Sequence, residues 1–366
     1  MRLVLTENIT PEMTLGKNIY KKGCVYLRAG QRNICRYNER LKDLGVDYVY
    51  VYDELSADIT IPEDVSEATR QKCQDSLRSA FGSIENNLPV DVSTFASPVK
   101  SLMDELLYNP DIQINLTDIS TMDEYTFGHS VSTAVYSILI GQEVGLSRDE
   151  LYDLALGAVL HDVGKVKLDP RILFKEGRLT DAEYDAIRCH PRYSYEILRY
   201  CRNMSNEAKM VAFTHHERLN GTGYPQGLTG AKLGKFSRIV AAADVFDALS
   251  TNRCYRKKWS TNKVADFMTK YAGTEFDETM VAALLKKIAI YPNGSEVMLS
   301  DGHLGLVVRQ NLKVPFRPVV RVVRDHEGFW VEPYEVDLLK DLNITITASQ
   351  LELQEARGEG EGHVTI

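Results

Sequence analysis

A chain of 366 residues, 44% hydrophobic and 26% charged, has room for two or three domains around one sizeable core, and this composition excludes wholesale disorder. The net charge of −8 excludes a general electrostatic footprint for a nucleic-acid polymer, so an anionic substrate must be drawn by a local basic patch. The start Met1-Arg2-Leu3-Val4-Leu5-Thr6-Glu7-Asn8 lacks the apolar stretch of a signal peptide, and no segment approaches bilayer length, so the reading is a cytoplasmic protein with no membrane insertion.

Residues 1–60 predict a small mixed α/β module. Short strand-like pieces surround Val4, Ile9, Met13, Ile19 and Val25-Tyr26-Leu27, one short helix covers 34–44 and ends at Gly45, and 47–52 alternates as a strand does. The module holds no catalytic constellation; a regulatory or docking unit and a structural appendage fit it equally. Residues 61–117 predict a helical connector, with helices over 65–87 and 94–107 that either stand as a stalk or pack on the domain C-terminal to them. Helices of this sort also pair between subunits, which makes a homodimer an expectation.

The chemistry begins after residue 118. Of the 8 histidines in the chain, five (His129, His161, His190, His215, His216) fall between 129 and 216, each in a helix or at a helix end, which favours metal ligation over five unrelated structural roles. His129 heads the apolar run Val131 to Ile140 and, once buried, needs a metal or a hydrogen-bonding partner. A helix capped at Leu146-Ser147 delivers His161-Asp162, a neutral nitrogen donor beside a carboxylate whose two oxygens can bridge two cations. Lys165 comes next at helical spacing, so an ammonium overlooks the same position.

Thr180 and Glu183 have the spacing of a capping box, and the helix they start is expected to end at Cys189-His190-Pro191, leaving His190 at a helix terminus. A helix over 207–213 then delivers His215-His216; neighbouring helical residues diverge by roughly 100°, so two successive histidines make sense flanking a cluster larger than one ion. The loop from Glu217 to Leu228 carries Gly221, Gly223 and Gly227 and allows close backbone approach to a ligand, while Tyr224 offers a flat face for a base. In the helix over 236–249, Asp244 stands among small and apolar residues and is the candidate last metal ligand; Asp247, one turn on, reads as a hydrogen-bonding support.

Arg253 to Lys258 is the densest basic stretch; Arg253 and Arg256 read as phosphate-facing and the lysines as surface. Further helices run to 290, closing a domain over 118–290. Residues 291–350 change to short strands separated by turn signals, a small β-rich module, and 351–366 read as a disordered, Gly- and Glu-rich tail. The fold class is therefore mainly α, with a small mixed module before the helical domain and a small β-rich module after it.

These motifs together resemble the HD-GYP subgroup of the HD phosphohydrolase superfamily. The resemblance is carried by Tyr125-Thr126 before His129-Ser130, His161-Asp162-Val163-Gly164-Lys165, His190-Pro191, His215-His216-Glu217, Gly223-Tyr224-Pro225, Asp244 to Leu249, and Arg253 with Tyr255-Arg256. It implies an all-helical HD-type domain that hydrolyses cyclic di-GMP to the linear dinucleotide and on to GMP. It also implies a first metal site of His129, His161, Asp162 and Asp244, and a second of His190, His215 and His216 bridged by Asp162. Lys165, Arg253 and Arg256 match positions that contact substrate phosphate, and Gly223, Tyr224 and Pro225 mark the substrate loop. Asn220 replaces a common Asp, and Tyr125 stands where three-metal members carry a Glu, which favours two ions over three. The cofactor expectation is two divalent transition-metal ions, Fe or Mn first, with Zn or Co also suited to the donors. Hydroxide bridging the ions is the expected nucleophile, with Asp162 and Lys165 as the catalytic pair. Another cyclic dinucleotide or nucleotide as substrate, or a receptor that binds cyclic di-GMP without turnover, are the alternatives.

Overall fold

The first strands, β1 (Arg2–Leu5), β2 (Thr14–Leu15), β3 (Ile19–Lys21) and β4 (Cys24–Leu27), precede a 3-10 turn that runs into α1 (Asn38–Asp43), and β5 (Tyr48–Tyr52) closes this mixed unit. The structure is a computed structural model and describes residues 1–21, 24–63, 65–108, 113–114, 125–175, 177–251, 258–312 and 314–357, apart from the side chains of 125 and 354–357. Strands order as β1-β5-β2, antiparallel, with β3 and β4 as a separate hairpin. The alternation read in 47–52 has a physical outcome: Val49 and Val51 point into the module's own core with Leu15, Ile19, Ile34 and Leu41, whereas Tyr48 and Tyr50 face the opposite way onto Leu306 and Val323.

The connector does not stand as a stalk. α2 (Glu67–Glu85) and α3 (Ala96–Tyr108) bury Cys73, Leu77, Val99, Leu102, Met103 and Leu106 in the same core as the metal-bearing helices. Glu105 fastens the two by accepting from the Ser66 amide, the Ser66 hydroxyl and the Thr69 hydroxyl at 2.7, 2.9 and 2.6 Å. Next come α4 (Tyr125–Glu143), α5 (Arg148–Leu160), α6 (Pro170–Leu173), α7 (Asp181–Ile187), α8 (His190–Leu198), α9 (Asn206–Thr214), α10 (Lys235–Ser250), α11 (Thr261–Tyr271) and α12 (Glu278–Lys286). The capping box expected of Thr180 and Glu183 is formed, and Ser147, expected as a cap, makes a second one with Glu150. His190 differs from expectation: it opens α8 instead of closing the helix before it. Proline in the first turn of a helix is favourable because its missing amide has no partner there, so Pro191 starts a helix at this point.

The C-terminal strands β6 (Glu296–Leu299), β7 (Leu304–Arg309), β8 (Val319–Arg324), β9 (Trp330–Asp337) and β10 (Ile346–Ser349) form one antiparallel sheet in the order β10-β6-β7-β8-β9. Val297, Leu299, Val307, Val320 and Val322 close the main helical core. Leu306 and Val323 meet the tyrosines of β5, so the two end modules touch each other as well as the helices. The Leu3 amide donates to Gly294 at 2.9 Å, and Arg321 bridges Asp58 and Glu335. The expectation of disorder from residue 351 is corrected over 351–357, which lie in α13 (Gln350–Arg357); Gln350 anchors it by donating to the Leu3 carbonyl at 3.1 Å. Residues 358–366 lie outside the described residues. Lys258, read as surface, instead sets its ammonium 4.9 Å from the centre of the Tyr48 ring. Among the described residues no helix is long and apolar enough to cross a membrane.

Gly157 sets the spacing of the helices that matter most, because a Cβ there would lie 2.9 Å from the Ala208 carbonyl of α9. Gly157→Ala should therefore cost about 1–3 kcal/mol of stability by forcing α5 from α9. Thermal unfolding would show it, together with lower metal uptake, since these helices carry His161-Asp162 and His215-His216; unchanged values for both would contradict the close approach.

Candidate metal centre

Five segments converge on one buried point. α4 brings His129, the end of α5 brings His161 and Asp162, the start of α8 brings His190, the residues after α9 bring His215 and His216, and the middle of α10 brings Asp244. His161 and His215 have no exposed surface, and Asp162 and His190 are 1% exposed. The two oxygens of Asp162 face different partners. Oδ2 lies 3.2 Å from His161 Nε2 and 3.7 Å from His129 Nε2, while Oδ1 lies 3.2 Å from His190 Nε2 and 3.8 Å from His215 Nε2. Asp244 closes the ring, with Oδ1 at 3.1 Å from His129 Nε2 and Oδ2 at 3.5 Å from His216 Nδ1.

The rings are oriented from behind. Nδ1 of His161, His190 and His215 lies 2.7, 2.7 and 3.2 Å from the carbonyls of Ala158, Ile187 and Val211, one helical turn back in each case. Nδ1 of His129 lies 2.6 Å from Asp247 Oδ2, the support expected of Asp247. A ring whose Nδ1–H donates outward has an Nε2 lone pair directed inward. Three such lone pairs, with His129 Nε2 beside them, therefore meet two carboxylates, and His190 Nε2 stands 3.3 Å from His215 Nε2, acceptor against acceptor. Buried His161 Nε2 and Asp162 Oδ1 have no hydrogen-bond partner among the described residues. Two donor triads, His129-His161-Asp162 and His190-His215-His216, each gather their ligand atoms within 4.8 Å. This donor set fits divalent cations, and hydrogen bonding alone does not satisfy it.

Protonation obeys the same plan. Burial holds His215 and His216 well below the ordinary imidazole range, so both are neutral donors near pH 7. Burial by itself would raise the carboxyls of Asp162 and Asp244. Against it, His161 and Lys165 beside Asp162, and the His129 and His216 contacts on Asp244, hold both well below the carboxylate range. Burial likewise opposes protonation of His129, but Asp244 and Asp247 outweigh it and bring that group up to about 9.

Lys165 reaches Asp162 Oδ2 from the 3-10 turn after α5, with its side chain 17% exposed. That turn is pressed onto α8: a Cβ on Gly164 would lie 2.3 Å from both the His190 carbonyl and the Ser194 amide, and the Gly164 amide donates to Ser194 Oγ at 2.8 Å. The loop beyond His216 is tied down by Glu217, whose role sequence reasoning missed. Its buried carboxylate accepts from the amides of Gln226 and Leu228, both at 2.8 Å, and the Tyr224 amide donates to the His216 carbonyl at 3.2 Å. The signal was available: an acid beside a glycine-rich loop, whose amides have few backbone partners. Gly223 admits no side chain, because a Cβ would come within 2.4 Å of Glu217 Cα. Pro225 is joined to Tyr224 by a cis peptide bond. Tyr224 does not offer a bare flat face: its ring stacks on His216 at 4.6 Å and 28°. Asn220 accepts from the Thr222 amide and hydroxyl within the loop. Arg253 and Arg256 lie outside the described residues, as does the side chain of Tyr125.

Comparison with known proteins agrees with the site. Residues 116–280 match the HD domain family and residues 296–355 match the KOW domain associated with the HD domain. The chain is 33% identical over 244 residues to cyclic di-GMP phosphodiesterase PA4108 of Pseudomonas aeruginosa, covering 67% of this chain and 59% of that protein. It is 37% identical over 175 residues to 3'3'-cGAMP-specific phosphodiesterase 3 of Vibrio cholerae (48% and 38% covered). Against cyclic di-GMP phosphodiesterase response regulator RpfG of Xanthomonas campestris it is 38% identical over 149 residues (40% and 39% covered). The chain spans three-fifths or less of the length of these curated relatives. An HD domain implies divalent-metal binding, and the donors found here fit it. Residues 116–280 are thus an HD domain, and the KOW domain associated with it follows behind the helical core.

The folded pKa of His129 stands above its ordinary 6.5, so the stability it contributes to the metal-free protein is fully present below pH 6.5 and is lost as pH rises through about 9. The thermal midpoint of chelator-treated protein should fall across that window, and more steeply than in Asp247→Asn, where one of the raising carboxylates is gone; parallel slopes would remove His129 as the cause. In the metal-loaded protein, Glu217→Gln presents an amide N–H to one of two backbone amides and should raise KM several-fold without loss of metal; unchanged KM would dissociate the loop from substrate.

Proposed function

We propose that this chain is a metal-dependent phosphodiesterase that opens cyclic di-GMP to the linear dinucleotide and carries it on to GMP. The observation that carries the reading is the division of Asp162, one oxygen toward His129 and His161 and the other toward His190 and His215. The activities named for the Pseudomonas and Xanthomonas relatives support the substrate class.

His129, His161, Asp162 and Asp244 would hold one divalent cation, and His190, His215 and His216 with the other oxygen of Asp162 a second. Two ions fit the two donor triads. Fe or Mn suits the mixed imidazole and carboxylate donors, with Zn or Co also compatible. Such a pair, when bound, supplies Lewis acidity and brings the pKa of a water toward about 7. The chain's own residues do the rest. Asp162 stays anionic because Lys165 stands against it, and the carbonyls behind His161, His190 and His215 keep the protons on Nδ1, away from the centre. Lys165 is the described cation placed to hydrogen-bond a nonbridging phosphate oxygen, and Arg253 and Arg256 are assigned to the same task from their sequence positions. The loop of Gly223, Tyr224 and Pro225, fixed by Glu217, shapes one wall for the nucleotide.

A second substrate is favoured by a specific finding. Relatives 37%, 36% and 31% identical to this chain are named 3'3'-cGAMP-specific, a likeness comparable to that of the cyclic di-GMP enzymes. Both dinucleotides therefore belong in the test, which is metal analysis of anaerobically purified protein and then chromatography of products from each. Asp162→Ala should lose metal and turnover together, whereas Lys165→Ala should keep its metal and slow turnover about 10²–10³-fold. Turnover surviving in Asp162→Ala would refute the bridging role.

A further inference from the structure

Arg188 has no part in the phosphodiesterase chemistry assigned to the centre, yet its side chain stands beside the loop tyrosine. It comes directly after α7 and lies two residues before His190. Its guanidinium carbon is 4.9 Å from the centre of the Tyr224 ring and 5.9 Å from that of Tyr184. Tyr224 in turn stacks on His216, so His216, Tyr224, Arg188 and Tyr184 form a row from the buried cluster to the surface.

The chemistry of this arginine is unfinished. Its side chain is 40% exposed, and among the described residues its ion pair is with Asp185, at 3.6 Å, on the preceding turn and itself 73% exposed. A solvent-facing pair of that kind contributes little. No hydrogen bond from the guanidinium is found among the described residues. Other cations near the centre are engaged: Lys165 on Asp162, and Arg218 on the carbonyls of His215 and Glu217 with its guanidinium 5.0 Å from Phe276. Aromatic rings lie beside Arg188 without accepting from the N–H edge of its guanidinium. That edge is a rigid fork of N–H donors, shaped for two acceptors side by side. A dinucleotide carries such pairs in its phosphate oxygens and in O6 with N7 of guanine.

We propose that Arg188 is a substrate-positioning residue whose guanidinium edge binds a paired acceptor of the cyclic dinucleotide at the mouth of the site. The proposal rests on the phosphodiesterase reading. A glutamine keeps one donor and loses the charge and the fork; a lysine keeps the charge alone. In the metal-loaded full chain, Arg188→Gln should raise KM for cyclic di-GMP about tenfold or more, with kcat within about twofold and metal content unchanged. Arg188→Lys should recover only part of that loss. Calorimetric affinities identify the acceptor. If it is the guanine edge, Arg188→Gln narrows the preference for cyclic di-GMP over cyclic di-AMP about tenfold, since adenine presents a donor where guanine presents O6. If it is phosphate, both ligands weaken together and the preference holds.

Unchanged KM and affinity in Arg188→Gln would overturn the proposal, and so would joint loss of metal and kcat, which would make Arg188 a brace for Tyr224 only. Should the wild type turn over neither cyclic di-GMP nor 3'3'-cGAMP, the phosphodiesterase reading fails, while weaker cyclic di-GMP binding by Arg188→Gln would still support the contact. A wild type that binds no dinucleotide sinks both.

Discussion

Asp162 is a carboxylate taken almost wholly out of water, and the rest of the helical domain is arranged around the consequences. Removing such a charge from solvent costs several kcal/mol unless partners replace the lost hydration. Here those partners are four imidazole nitrogens and one ammonium, divided between two oxygens. Neutral imidazoles with their lone pairs turned toward an anion stabilise nothing by themselves. Lys165 brings charge to Oδ2 alone, so the Oδ1 side with His190 and His215 becomes favourable only with further positive charge, which is why the geometry implies cations.

That requirement passes outward to the backbone. Each inward nitrogen depends on an Nδ1 proton directed at a carbonyl or carboxylate, and for His161, His190 and His215 that carbonyl belongs to the helix turn just behind the ring. The carbonyls of Ala158 and Val211 use one lone pair on the amides of His161 and His215 and offer the other to the ring, so each histidine is oriented without breaking the helix. His129, inside α4, takes a side-chain carboxylate from α10 instead. Gly157 and Gly164 let the helices come near enough for the rings to meet.

Much of this was legible in the sequence, for a physical reason. The histidines and Asp244 are buried polar residues within apolar helices, an arrangement that is costly without a shared partner, so their types and spacing alone pointed to one centre. The caps at Ser147 and Thr180 were legible because they are local. The role of Glu217 was not, since its partners, Gln226 and Leu228, lie across a loop whose path no periodicity describes. Arg188 carries no local signal for the same reason: only the fold brings it over Tyr224. Pro191 was read as a stop where it acts as a start, because proline disfavours a helix before it and favours one after it, and the sequence offers both.

The end modules make sense through β5. A five-residue strand alternating Val and Tyr has two apolar faces, so it cannot remain on the edge of a small free-standing unit. Its valines complete the N-terminal core, and its tyrosines require a second surface, which the C-terminal sheet supplies through Leu306 and Val323. Tyr48 lies on that same face and also meets the Lys258 ammonium, whose pKa burial pushes down. The Trp259 amide next to it donates to the Leu249 carbonyl at the end of α10, the helix that carries Asp244 and Asp247. One strand of the first module therefore touches the last module and, through Lys258, the chain just beyond the basic stretch of Arg253 and Arg256. The loop wall of the site is held differently: Glu217 fixes it through the amides of Gln226 and Leu228, residues of the loop itself. Two walls of one centre thus have separate supports: the end of α10 is met through Lys258 and Trp259 from the side of β5, and the loop of Tyr224 is held by its own amides on Glu217.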